Sequence, residues 1–301
     1  MNILLAGASG QLGQELYTQL ARMGHITGVD RLVGQEGAIK QDLTELGQVE
    51  AMLDRLQPDL VVNAAAYTAV DQAENEPSIA FGLNAELPGC LARWCRSNER
   101  FLLHYSTDYI FDGSAREPYK EDHRPGPLNV YGESKLAGEW AVGASGCEHV
   151  ILRTSWVYST HGSNFVLSML KLAQQRPDLS IVSDQVGCPT WARNLAQTSS
   201  VVLQQALDNR SDAELQGIFH YCDNSVTSWY EFARLIFERA TELKLLTQMP
   251  KLRSIRSADY PQVAGRPAYS VLDTRRICKK FGLQPPSLEE SLKSCLKELV
   301  A

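Results

Sequence analysis

Tyr131 and Lys135 can do proton chemistry together. They stand four positions apart in Tyr131-Gly132-Glu133-Ser134-Lys135, and the run that follows (Leu136, Ala137, Glu139, Trp140) reads as helix. Residues at i and i+4 share one helix face, so a phenol and an ammonium lie side by side. A free phenol holds its proton up to a pKa of about 10. A neighbouring positive charge favours phenolate and lowers that value. The expectation is an acid/base pair working closer to neutral pH. The same spacing occurs on many solvated helices, so the elements around the pair must decide. Upstream, Phe101-Leu102-Leu103-His104-Tyr105 reads as a strand that runs into Ser106-Thr107-Asp108-Tyr109. Ligands of an open parallel sheet bind beyond the carboxyl ends of its strands, and a Thr107 hydroxyl there can hydrogen-bond a substrate oxygen.

The N-terminus supplies a second site. An apolar run over 2–6 leads into Gly7-Ala8-Ser9-Gly10-Gln11-Leu12-Gly13, then an amphipathic helix with Leu12, Leu16, Leu20 and Met23 on one face, then a strand ending in Asp30. The glycines suit a tight turn, close approach of backbone to a pyrophosphate, and close packing of helix on strand. The helix start offers oriented N–H groups to phosphates. This predicts dinucleotide binding, with NADPH or NADH as cofactor. Asp30 suits a ribose hydroxyl, whereas Arg31 beside it suits a 2′-phosphate. Asp42-Leu43 either borders the adenine or caps a helix over 44–56. After a buried strand over 59–63, Ala64-Ala65-Ala66-Tyr67 is small enough for a cofactor to lie against its backbone.

Composition removes other classes. A net charge of −6 over 301 residues, without a Lys/Arg block, argues against nucleic acid as the main ligand. Apolar runs are too short to span a bilayer. The chain starts in a strand-like run with no signal-peptide pattern, which predicts a cytoplasmic protein. Seven cysteines, odd in number and irregularly spaced, read as free thiols. No role in catalysis is expected of Cys188.

Strand and helix alternate for about 155 residues, which predicts an α/β fold with a doubly wound parallel sheet. The dinucleotide-binding domain is placed at 1–155, with 191–222 returning to the sheet. A smaller mixed α/β lobe over 156–190 and 223–301 is expected to bind substrate. Helices are expected over 77–95, 164–174, 192–207, 229–246, 274–281 and 288–299, and 252–269 is expected to be irregular. Trp156, just past a strand over 150–153, either stacks on a sugar or base or fills core.

Longer runs carry a resemblance. They are the 62–71 segment from Val62-Asn63-Ala64 through Tyr67-Thr68 to Asp71, Tyr105-Ser106-Thr107-Asp108-Tyr109-Ile110-Phe111, the 127–139 segment around Tyr131, Arg153-Thr154-Ser155-Trp156-Val157-Tyr158, and Asp184-Gln185-Val186-Gly187-Cys188-Pro189-Thr190. Together they resemble the extended short-chain dehydrogenase/reductases with a Rossmann-type sheet. Within these, the chain is similar to the dTDP-4-dehydrorhamnose reductases over nearly its whole length. The resemblance implies reduction of the C4 ketone of dTDP-4-dehydro-6-deoxy-L-mannose to dTDP-L-rhamnose. Tyr131 would protonate the forming alkoxide, Lys135 would hold the nicotinamide ribose and tune the phenol, and Thr107 would bind the same oxygen. Thr68 and Tyr105 fall in the runs implied to line the cofactor. Asp108, Trp156 and Arg266 match positions near the substrate, and the Arg266 fork suits a diphosphate. Some family members resemble magnesium-bridged dimers held by three glutamates. Glu15 matches the first and Glu289 the last, but Arg193 stands at the middle position. A cation there disfavours magnesium, which wants oxygen ligands, so no metal is expected and a homodimer stays open. An epimerase or dehydratase on another nucleotide sugar, and a non-catalytic regulatory subunit, are the alternatives.

Overall fold

The computed structural model describes residues 1–31 and 38–300. Its strands are β1 (Asn2–Ala6), β2 (His25–Asp30), β3 (Ile39–Lys40), β4 (Leu60–Asn63), β5 (Phe101–Thr107), β6 (His149–Thr154), β7 (Val157–Tyr158), β8 (Asp178–Val182), β9 (Val186–Gly187), β10 (Thr190–Trp191), β11 (Gly217–His220), β12 (Thr227–Ser228) and β13 (Lys251–Ile255). Seven of them form one sheet in the order β11-β6-β5-β4-β1-β2-β3, with every neighbouring pair parallel. The order reverses between β1 and β4, which opens the crevice where doubly wound sheets bind dinucleotides.

The strands are apolar on both faces because helices cover both. Side chains alternate strictly. Ile3, Leu5, Val62, Leu103 and Leu152 join one core, with Leu16 and Leu20 from helix Gln11–Leu20 and Leu195 and Val202 from helix Ala192–Asp208. Leu4, Ala6, Val61, Leu102 and Ile151 join the other, with Leu53 from Leu46–Leu56 and Leu91 from Leu87–Ser97. A third core lies off the sheet, where Phe232 and Ile236 of helix Trp229–Glu242 meet Val166 of Phe165–Gln175 and Leu292 of Leu288–Glu298.

Two elements differ from the sequence expectation. Within 252–269, β13 pairs in parallel with β8. No residue of β13 is fully buried, so its sequence lacks the alternation that signals a strand. The expected single helix over 77–95 is interrupted by a π-helical turn at Gly82–Glu86 between Pro77–Phe81 and Leu87–Ser97. Pro88 has no N–H for the carbonyl of Asn84, so the helix widens there. That carbonyl instead backs onto Gly138, where an added Cβ would lie 2.0 Å from it.

Candidate active site

The helix Val130–Ser145 carries both members of the proton pair. Asn129 caps it, accepting a hydrogen bond from Gly132 N at 2.7 Å and donating to Gly265 O at 2.7 Å. A Cβ on Gly132 would sit 2.3 Å from the carbonyl of Tyr109, so only glycine lets the helix rest on the turn that ends β5. That contact sets Tyr131 beside Tyr109, ring edge to ring face with centroids 5.8 Å apart. It also brings Thr107 to Tyr131, because the Thr107 hydroxyl interacts with the phenol. Thr107 Oγ1 accepts from Tyr109 N and donates to Asp108 Oδ1, both at 3.1 Å. The proton pair and the strand-end hydroxyl therefore meet.

Lys135 is buried, and its ammonium donates to the carbonyl of Tyr105 at 2.5 Å. Burial draws its pKa down to about 8, while the Glu139 carboxylate, one turn further along, holds it up. Glu139 is itself buried and gripped through both oxygens by Arg153 at 2.9 and 2.7 Å. The direction of the shift on the phenol is the opposite of the expected tuning. Burial pushes Tyr131 up to about 12, with Thr107 pulling against it and the Asp108 charge adding to the rise. Desolvation of a phenolate sets the direction, and the Lys135 donor is directed at a backbone carbonyl instead of the phenol. Tyr105 contributes that carbonyl to the site, not its ring: its hydroxyl donates to Ser199 Oγ at 2.7 Å on the opposite side.

Asp108 is 2% exposed. Burial raises its pKa to about 6, opposed by the hydroxyls of Ser270, Thr107 and Ser155. Its Oδ2 atom has no hydrogen-bond partner, an uncommon condition for a buried carboxyl.

The glycine turn has the predicted shape. Gly7 adopts φ +79°, and the backbone of Ala64 and Ala65 passes so close that a Cβ on Gly7 would meet Ala65 N at 2.5 Å. A Cβ on Gly13 would lie 2.0 Å from Gly7 O. Gly10 precedes the helix without a side-chain cap, leaving the first N–H groups directed at the crevice. Leu12 packs on the core. Gln11 turns away, donating to Ser163 O at 3.2 Å and accepting from Asn164 at 2.9 Å. Asp30 ends β2 and accepts from Ser9 N at 3.0 Å and Arg31 N at 2.7 Å, with the Arg31 side chain exposed. Asp42 makes a local turn by accepting from Thr44 N at 2.9 Å, and Leu43 is buried in the core. Ala66 and Tyr67 are half-buried and Thr68 exposed. The Tyr67 hydroxyl is taken by Glu76 at 2.5 Å. An uncapped helix start, a glycine cradle and a terminal acid fit a dinucleotide.

On the substrate side, Trp156 takes φ +47° and stacks face to face on Trp229, centroids 3.4 Å apart. Gly187 lies against its indole, where a Cβ would approach to 2.6 Å. The Arg266 fork is engaged: Nη2 donates to Asp71 at 2.8 Å and Nη1 to Gln262 at 3.0 Å. Arg266 also interacts with the Tyr109 hydroxyl, so it connects the Tyr131 group to a cavity of about 550 Å³ in the small lobe. Phe165, Gln185, Trp229, Tyr260, Gln262 and Arg266 line it.

The RmlD substrate binding domain model matches residues 1–301. The dTDP-4-dehydrorhamnose reductase of Salmonella typhimurium is 38% identical over 299 residues, 99% of this chain and 98% of that protein. The chain belongs to the dTDP-4-dehydrorhamnose reductase family. A crystal structure of the Clostridium acetobutylicum reductase superposes with TM-score 0.89 at 33% identity, covering 100% of both chains. That of the Bacillus anthracis reductase in complex with NADP gives 0.86 at 33% identity, covering 99% of each.

The cluster around Glu15 and Arg193 answers the question of a metal raised by the sequence. Arg193 donates to both oxygens of buried Glu15, at 2.9 and 3.3 Å, and to Glu298. His161 Nε2 lies 3.7 Å from Glu15, and the Trp191 ring lies 4.9 Å beneath the guanidinium. The third acid is thus Glu298; the Glu289 of the sequence expectation pairs with Arg239. A guanidinium stands among the carboxylates, so the donor set does not fit a divalent cation. Among the described residues no group of three His, Cys, Asp or Glu is arranged for a metal.

The sequence reading missed several positioning residues of this reductase fold. Asn84, freed by the π turn, accepts from Tyr67 N at 2.8 Å and donates to Ser134 at 3.0 Å, tying the cofactor-facing loop to the Tyr131 helix. Pro88 was the available signal. Glu139 and Arg153 lie in quoted runs, but their pairing needs the sheet to bring β6 under the helix.

Proposed function

We propose that this chain reduces the C4 ketone of dTDP-4-dehydro-6-deoxy-L-mannose to dTDP-L-rhamnose, the last step in making that sugar nucleotide. The observation that carries the reading is the meeting of Tyr131, Thr107 and buried Lys135 at the carboxyl end of β5, in a chain similar to these reductases from end to end. NADPH or NADH, when bound, supplies the hydride. Gly7, Gly10 and Gly13 cradle the pyrophosphate, with the helix start at Gln11 and Leu12 facing it. Asp30 and Arg31 meet the adenosine ribose, Asp42 and Leu43 border the adenine, and the 64–68 backbone lines the rest.

Thr107 donates to the ketone oxygen and holds it against Tyr131. Tyr131 gives its proton to that oxygen as charge develops there. Burial holds the phenol's proton more tightly than in a free tyrosine, which suits a donor. Lys135 holds the nicotinamide ribose and keeps a positive charge under the site. Asp108 and Trp156 bind the sugar. The small lobe over 156–190 and 223–301 takes the nucleotide, with Arg266 exchanging Asp71 for the diphosphate at the mouth of the cavity. General acids of this kind contribute ~10²–10⁴-fold.

The test follows NAD(P)H absorbance with the keto-sugar nucleotide. Net oxidation is expected, with a fall of ~10² or more in kcat for Tyr131→Phe at unchanged melting temperature. A tightly held cofactor with no net oxidation would assign an epimerase instead, and a folded Tyr131→Phe protein with full turnover would remove the acid.

A further inference from the structure

We propose that Glu139 and Arg153 are positioning residues of the reaction: clasped together beneath helix Val130–Ser145, they set the charge of Lys135 under Tyr131. This rests on the reductase reading above and adds to it a pair that lies beneath the site.

Tyr131, Lys135 and Glu139 occupy successive turns of one helix face, with about 5–6 Å between Cβ atoms at each step. Lys135 and Glu139 are both 3% exposed. This face is tied to two adjacent strands. Lys135 Nζ donates to Tyr105 O of β5 at 2.5 Å. Glu139 accepts from Arg153 of β6, from Nε at 2.9 Å and from Nη2 at 2.7 Å. Ser106 and Arg153 are register partners, so the two ties lie side by side on the sheet. The rest of the Arg153 fork is engaged as well: Nη1 donates to Glu121 O at 3.1 Å and meets His220 Nε2 at 3.3 Å. A planar fork held through all three nitrogens is a fixed support.

Charge makes the pair more than a brace. Lys135 sits where burial favours the neutral amine, and the Glu139 carboxylate opposes that. The other titratable groups packed around the helix do not replace it. On β5, His104 is neutral, since burial and then the lysine charge hold it well below the ordinary histidine range. The Tyr105 ring points to the other face, where its hydroxyl bonds Ser199. On β11, burial and then the Arg153 charge bring His220 down to about 3. Past the end of β5, burial raises the Tyr109 phenol, and Asp108, held up to about 6, adds its charge on the Tyr131 side. Burial also raises the thiols of Cys90 and Cys95 on helix Leu87–Ser97. The charged Glu86, Arg93, Arg96 and Glu133 are exposed, and solvent screens them. At the start of the helix, Asp71 is bonded to Arg266 and Glu74 to Val130 N. Removing the Glu139 charge therefore leaves Arg153 as an uncompensated cation one turn from the lysine.

The experiment follows the NMR resonance of Lys135 Cε against pH, in the full chain with lysine isotopically labelled there and Lys135→Met to assign it. The wild-type midpoint is expected at about 8. In Glu139→Gln, which keeps the shape and removes the charge, it is expected to fall by about one pH unit or more. In Arg153→Met it is expected to rise instead, by less, because the guanidinium stands behind the carboxylate. Both changes break the same buried pair and lower the melting temperature, so opposite shifts separate charge from lost packing. Arg153→Lys keeps the cation and is expected to return the midpoint to the wild-type value. The high-pH limb of kcat for NAD(P)H oxidation, where the charged lysine is lost, is expected to move with each midpoint. Midpoints that stay at the wild-type value, or move the same way in both variants, overturn the proposal. If Glu139→Gln does not fold, the double variant Glu139→Gln/Arg153→Met removes both charges without stranding either. Its midpoint is expected below that of the wild type, and an unchanged one overturns the proposal. Absence of net NAD(P)H oxidation by the wild-type chain would instead remove the reductase reading and leave the midpoints to judge the pair, so the two failures are distinguishable.

Discussion

Lys135→Met is expected to make the ligand-free protein more stable while removing turnover. The ammonium is buried, and its pKa falls from the ordinary 10.5 to about 8. At about 1.4 kcal/mol for each pKa unit, the folded state is penalised by about 3 kcal/mol wherever the lysine is charged in both states. Methionine fills similar space without charge. It also loses the bond from Nζ to Tyr105 O, and bonds to charged groups contribute about 1.5–3 kcal/mol. The net gain at pH 7 is therefore about 1 kcal/mol.

The sign with pH follows from proton counts. Between pH 8 and 10.5 the unfolded chain holds the lysine proton and the native chain has lost it, so wild-type stability gains from this group as pH rises. The gap between variant and wild type is constant below pH 8 and moves against the variant above it, by up to about 1.4 kcal/mol per pH unit. Cys90, pushed up to about 12, acts in the opposite sense above pH 9, and Tyr105, pushed higher still, above pH 10, because the native chain keeps their protons longer. They are common to both proteins and cancel in the difference. Urea unfolding of both chains at pH 7, 8 and 9 measures it. A variant less stable than wild type at pH 7, or a gap that ignores pH between 8 and 9, would refute the claim that burial dominates this lysine.

Gly13→Ala places a Cβ 2.0 Å from Gly7 O, so helix and turn must separate; overpacking of this kind costs ~1–3 kcal/mol. Thermal melting should fall and NADPH affinity by fluorescence titration should weaken with it, and unchanged affinity would show that the cradle does not hold the pyrophosphate. Arg193→Glu leaves Glu15 without its cation beside two other carboxylates, and stripping one partner from a buried pair costs ~3–5 kcal/mol, less here because Arg193 is about a third exposed. Magnesium should raise the variant's melting temperature and leave the wild type unmoved, since only the variant offers a set of oxygen ligands. A wild-type melt that responds to magnesium or chelator would refute the reading of the guanidinium as the resident cation.

The local sequence determined the elements at this site. Gly7 to Gly13, the strand endings at Asp30 and Thr107, and the Tyr131–Lys135 spacing follow from backbone sterics and helix periodicity. These act between near neighbours and so can be read from neighbours. The exposed strand β13 and the π turn at Gly82–Glu86 were not legible, since one lacks an apolar face and the other depends on a carbonyl finding Gly138 on a different helix. The electrostatics belonged to the tertiary structure alone. Spacing put Lys135 next to Tyr131, but burial raised the phenol and Tyr105 O claimed the ammonium. Burial likewise left Asp108 with an unpartnered oxygen, and packing of the first and last helices against helix Ala192–Asp208 set Arg193 between Glu15 and Glu298 in place of Glu289. A pKa depends on what lies around a group in every direction, and most of those surroundings come from residues far away along the chain.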